Sequence, residues 1–151
     1  MEYIRATEDM TEQIKGVLHS SIRTVYPRYY PQEVVEFFCS LHNIEHIKEG
    51  IASGNMGVLV LDGEIVGVGC ADGSHITSVY VKPSAQGKGC GTFIMDHLEK
   101  HIAESHPTAV LDASLPAALM YEHRGYKTTG HGIMDLDNDV RLVYEVMEKE
   151  L

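Results

Sequence analysis

At 151 residues, 44% hydrophobic and 23% charged, the chain is long enough to bury a core without disulfide or metal staples, and it does not read as disordered. Its formal net charge of −10 argues against nucleic acid and anionic membranes as partners and favours a basic or amine-bearing one. Residues 1–9 are charged with no apolar run, and the longest apolar stretches, such as Val58 to Leu61, are too short for a bilayer. Cys39, Cys70 and Cys90 form no C-x-x-C and no disulfide framework, so one cytoplasmic domain spanning residues 1–151 is expected.

Tyr3, Ile4 and Ala6 predict a short opening strand. Asp9, three residues before Glu12, reads as a capping box, and Ile14, Val17, Leu18, Ile22 and Val25 follow at helical spacing up to Pro27. Past the Tyr-Pro-rich link of residues 26–31, Val34, Phe37, Leu41 and Ile44 predict a second helix stopped at Gly50. Three antiparallel strands are then expected at 56–61, 64–71 and 75–81. Their turns fall at Asp62-Gly63 and Asp72-Gly73, and Pro83 ends the third.

A glycine-rich loop, Gln86 to Gly91, opens a helix with Ile94, Leu98 and Ile102 on its core face. Ala109 to Ala113 reads as a buried strand. Ser114 is placed to cap a short helix that ends just before Gly125. Lys127 to Leu136 and Val140 to Met147 predict a closing hairpin around Asp137-Asn138-Asp139. The sum is a mixed α/β domain without repeats or linkers.

The strand–glycines–helix segment from Val79 to Thr92 carries the chemistry. Such a layout leaves several N–H groups unpaired at a helix N-terminus, where the dipole favours negative charge, so a phosphate or pyrophosphate is the expected guest. Gly87-Lys88 is followed by Gly89, which excludes a P-loop, and Thr92 stands where a dinucleotide fingerprint needs glycine. The pattern is Gln86-x-x-Gly89-x-Gly91, preceded by Val81-x-Pro83, with Ser114-x-x-Ala117-x-x-x-Tyr121-x-x-x-Gly125-Tyr126 downstream.

This pattern resembles the acetyl-CoA-binding motif of the GNAT superfamily of N-acetyltransferases, and the order of elements agrees over nearly the whole chain. The resemblance implies a mixed, mostly antiparallel central sheet flanked by helices. It also implies acetyl-CoA as co-substrate and no metal. The amides of Gln86, Gly87, Lys88, Gly89, Cys90, Gly91 and Thr92 would grip the CoA pyrophosphate. The main chain at Val79 and Val81 would pair with the pantetheine arm and the acetyl carbonyl. Ser114 stands where the family usually has asparagine, and Ala117 lies on the same short helix. Dimerisation, with the closing hairpin pairing across the axis, is a family expectation.

Acetyl transfer to an amine needs a held carbonyl, a deprotonated amine and a proton for the leaving thiolate. Tyr121, two helical turns after Ser114, is the candidate proton donor; otherwise it is a packed tyrosine satisfied locally. His75, at the start of the third meander strand, is the candidate base, where relatives carry a glutamate. Cys90 reads as a core-facing residue rather than a nucleophile. His42 and His46 share a predicted helix face, but Asn43 breaks the zinc pattern and no third ligand is evident, so they read as a solvated face or a cleft wall. Tyr29, Tyr30, Phe37 and Phe38 are candidates for that wall, although core packing suits the phenylalanines. The expected acceptor is a primary amine on a small molecule, ahead of a protein amine. The alternative is a sensor or regulatory module that binds acetyl-CoA without turnover.

Overall fold

In the computed structural model, which describes residues 1–136 and 139–151, the meander forms where the Asp-Gly turns place it. The strands are β1 (Glu2–Arg5), β2 (Met56–Leu61), β3 (Glu64–Asp72), β4 (His75–Val81), β5 (Thr108–Ala113), β6 (Lys127–Asp135) and β7 (Arg141–Glu150). The helices are α1 (Thr11–Val25), α2 (Gln32–Leu41), α3 (Ile44–Ser53), α4 (Cys90–Ala103) and α5 (Leu115–His123). The strands make one sheet of order β1-β2-β3-β4-β5-β7-β6, antiparallel throughout except where β4 meets β5. The expected mixed, mostly antiparallel sheet flanked by helices is the observed architecture. Asp62 turns with positive φ into Gly63, as that hairpin requires.

Helices cover both faces. Ile94, Leu98 and Ile102 of α4 pack with Leu59, Leu111, Tyr126 and Met147 on one face. On the other, Ile14, Val17 and Leu18 of α1 and Ile47 of α3 pack on Val58 and Val68. Helix α4 sits very close to β3: a Cβ on Gly67 or Gly69 would lie 2.7 or 2.6 Å from an Ile94 methyl group, so only glycine lets the two backbones approach this far.

Local details depart from expectation in the first third of the chain. Asp9 does not cap α1; residues Glu8–Met10 form a 3₁₀ turn, and α1 starts at Thr11, whose hydroxyl donates to the Glu8 carbonyl. The single helix expected up to Gly50 is two helices. His42 leaves the helical region (φ −97°, ψ 53°), and Asn43 accepts the His46 N–H at 2.9 Å while its amide donates to the Ser40 carbonyl at 3.0 Å. One side chain thus closes α2 and opens α3. Gly50 lies inside α3, where an added Cβ would lie 2.8 Å from the terminal methyl of Met56, and left-handed Gly54 ends the helix. The closing turn read at Asp137-Asn138-Asp139 lies largely outside the described residues; Asp139 has positive φ. Among the described residues no helix is long and apolar enough to cross a membrane.

Candidate active site

The site begins with a failure of strand pairing. β4 and β5 run parallel and pair at His75↔Val110 and Ile76↔Leu111; beyond Ile76, β4 continues with its β5-facing edge free. The Lys82 N–H donates to the Val66 carbonyl at 2.7 Å, on the β3 side. Strand alternation then turns the backbone groups of Tyr80 toward β3 and those of Val79 and Val81 into the gap. There the Gln86 amide donates to the Val81 carbonyl at 3.0 Å and pins the glycine loop to the strand end.

The gap opens into a cleft of about 750 Å³. Val79, Val81, Gln86, Gly87, Gly89, Cys90, Gly91, Thr92, Ser114, Ala117 and Tyr121 all line it, so the structure brings together most of the residues that the sequence singles out. Gly87 and Gly89 adopt positive φ, 75° and 82°, which curls the loop before α4 begins at Cys90. Among the described residues no backbone acceptor meets the N–H groups of Gly87 to Thr92. A Cβ on Gly87, Gly89 or Gly91 would meet nothing within 4 Å. Unpaired donors, open space and a helix N-terminus together make an anion cradle suited to a diphosphate.

Two of the expected residues stand apart. Lys88 does not line the cleft. His75 lies at the closed end of the β4–β5 pair, with its Nε2 3.8 Å from Asp112 Oδ2, and it does not line the cleft either. Asp112, one residue past the β4–β5 pairing, does.

On the far wall, Tyr121 is 7% exposed and its hydroxyl has no hydrogen-bond partner among the described residues. Burial, and after it the neighbouring Tyr26, pushes the phenol well above its ordinary range, so it keeps its proton at neutral pH. Ser114 holds the N-cap position of α5 but does not cap it with its side chain. The Tyr30 hydroxyl accepts the Leu115 N–H at 2.7 Å instead, while Ser114 Oγ lies 3.5 Å from the Tyr26 hydroxyl. Tyr26 in turn sits 3.3 Å from the Tyr80 hydroxyl.

Sequence reasoning left His42 as a cleft wall at most, and the structure gives it more. It is 5% exposed, edge-on to Tyr80 with ring centroids 5.1 Å apart, and it lines the cleft beside His46. Burial first, then His46 and His19, hold its pKa down at about 4, so the imidazole is neutral at physiological pH. Its burial follows from the break between α2 and α3, which periodicity alone did not reveal. Cys90 is buried at the start of α4, as its core-facing reading requires. Among the described residues no group of three or more metal-ligating side chains is assembled.

A family model described as an acetyltransferase (GNAT) domain matches residues 25–147. No curated protein sequence matches the chain. Among solved structures, a GCN5-related N-acetyltransferase from Rhodopseudomonas palustris is similar with a TM-score of 0.91 at 24% identity, over 99% of this chain and 95% of that one. The PaiA N-acetyltransferase from Thermoplasma acidophilum, solved with coenzyme A, is similar at 0.79 and 17% identity, over 99% and 98%. A ribosomal-protein-alanine N-acetyltransferase from Brucella melitensis is similar at 0.74 and 15%, over the whole of both chains.

Proposed function

The chain belongs to the GNAT acetyltransferase family, and from that premise we propose that it moves the acetyl group of acetyl-CoA onto a primary amine of a small molecule, by direct attack in a ternary complex. The thioester supplies an activated acetyl carbonyl when bound. The unpaired amides of Gly87 to Thr92 hold the diphosphate, and the free edge of β4 pairs with the pantetheine arm as an added strand would. The Val79 N–H, turned into the gap, is the donor for the acetyl oxygen as negative charge grows on it.

As the amine nitrogen bonds to the carbonyl carbon, the carbon–sulfur bond breaks and the nitrogen gives up one proton. Tyr121 donates its hydroxyl proton to the sulfur, and the proton released by the amine restores the phenol, so amide and free thiol leave with the protein unchanged. Neutral His42 accepts a hydrogen bond from the amine and orients its lone pair, and takes this role ahead of His75, which does not line the cleft. The three free cysteines are all buried, which suits a cytoplasmic protein.

The observation that carries this reading is the row of unpartnered amides facing open space at the start of α4. Gly91→Glu tests it, because Gly91 has no positive φ and an added Cβ meets nothing within 4 Å. A carboxylate there should weaken acetyl-CoA binding by roughly 100-fold through like-charge repulsion, read by calorimetry, with the melting temperature nearly unchanged. Unaltered affinity in the folded variant would place the diphosphate elsewhere.

A further inference from the structure

The half of the cleft across β4 from the glycine loop has a wall of rings. Tyr26, Tyr30, Phe37 and Phe38 come from the segment after α1 and from α2, Tyr80 from β4 and Tyr144 from β7. All but Tyr144 form a continuous array: Tyr26 meets Phe38 edge-on at 4.9 Å and 90°, Tyr30 at 5.5 Å and Tyr80 at 6.5 Å, while Phe37 meets Phe38 at 5.7 Å. Phe37 and Phe38 are only partly buried: they pack against the cluster of Val34, Val35 and Cys39 and also line the cleft. The hydroxyls of Tyr26, Tyr80 and Tyr30 are engaged with one another, with Ser114 or with the Leu115 amide, which leaves ring faces and edges as the wall.

Charge is scarce on that wall. Among the described residues Asp112 is the one Asp, Glu, Lys or Arg side chain lining the whole cleft, and it stands on β5, not on the ring wall. His42 and His46 add imidazoles, of which His42 is neutral at physiological pH. An acceptor bearing a carboxylate would find no cation there, and a polyamine would bury further ammonium groups without carboxylates to pair them; either mismatch is costly. A single ammonium is drawn in by the net charge of −10 and met by aromatic faces, and releases its extra proton to solvent before the free amine attacks. A flat ring attached to it stacks edge-on or offset against the array.

Building on the acetyl-transfer reading, we infer that the acceptor is a monoamine carried on an aromatic body, an arylalkylamine, held by the Tyr26–Phe38–Tyr80 wall. The discriminating experiment compares 2-phenylethylamine with L-phenylalanine, which adds one carboxylate, with spermidine, which adds ammonium groups, and with n-hexylamine, which removes the ring. Each is tested with acetyl-CoA by thiol release. The kcat/KM for 2-phenylethylamine should exceed that for L-phenylalanine and spermidine by at least about 30-fold, and that for n-hexylamine by about 10-fold. Phe38→Ala should raise the KM for 2-phenylethylamine about 10-fold and leave that for acetyl-CoA unchanged, and Phe37→Leu, milder at a partly buried site, should shift it the same way. Equal or better turnover of spermidine, L-phenylalanine or n-hexylamine overturns the inference. Separate calorimetry keeps the two failures apart. Loss of acetyl-CoA binding defeats the cofactor assignment, whereas acetyl-CoA binding with no preference for the aryl amine defeats the acceptor class alone.

Discussion

His42 makes a prediction about stability that is independent of any substrate. It is packed against Tyr80 of β4 and Tyr26 lies beyond it; the titratable groups acting on it are His46 of α3 and His19 of α1, both of which oppose its charging. The unfolded chain takes up a proton at this position near 6.5, the folded chain at about 4. Between those values the unfolded state binds more protons, so stability falls as the pH drops through that window and is level above it. At 1.36 kcal/mol for each tenfold change in proton affinity, the full effect is about 3 kcal/mol, of which about 2 kcal/mol is expressed by pH 4.5. His42→Gln keeps the size, a polar head and the backbone carbonyl that pairs with His19 Nε2 at 2.8 Å, and removes the titration. Urea unfolding of both proteins at pH 7 and pH 4.5 isolates this contribution, because the other ionisable groups are shared. The wild type should lose about 2 kcal/mol more than the variant, a divergence in midpoint of about 1 M. Parallel losses, within about 0.5 kcal/mol, would mean that His42 charges freely in the folded protein, and its orienting role would fall with the argument.

Two further outcomes rest on the cleft and on its support. Tyr121→Phe should lower kcat by roughly 100-fold and leave the dissociation constant for acetyl-CoA unchanged; an unaltered kcat removes the phenol from the proton transfer. Glu99, 8% exposed on α4, accepts from Arg124 after α5, from Lys149 of β7 at 2.7 Å and from the Tyr126 hydroxyl at 3.3 Å. Glu99→Ala leaves Lys149 without its carboxylate while Arg124 keeps Asp96, and should cost about 1–3 kcal/mol in urea unfolding; a loss below about 0.5 kcal/mol would show that the pairs contribute little.

The parts of the site that were legible in the sequence are the ones built by neighbours in the chain. Gly87 and Gly89 allow the positive φ that curls the loop, and the helix that follows leaves its first amides unpaired whatever it packs against. The spacing from Ser114 to Tyr121 places both on a short helix beside that loop for the same reason. The meander was equally local, since Asp62-Gly63 and the turn before His75 set its hairpins. Where a local signal competed with another it misled: Asp9 looked like a cap, yet α1 has no side-chain cap, and Gly50 looked like a stop, yet Gly54 ends that helix. A capping side chain acts only if its backbone leaves the helix there, and a glycine inside a helix can equally mark a tight contact, as Gly50 does with Met56.

By itself, then, the chain's order of residues determined the glycine-rich turn with its unpaired amides, the place of Tyr121 on a short helix and the α/β class, because these follow from dihedral preferences and spacings of a few residues. Tertiary structure alone decided that β4 parts from β5 beyond Ile76, that His75 falls on the paired side of that divide, and that His42 and six rings from four separate segments face one cavity. Strand separation and wall composition depend on which distant residues are brought to the same place by packing, and no local preference encodes that meeting. The ring-lined cavity is therefore a property of the fold, as the row of unpaired amides is a property of the loop.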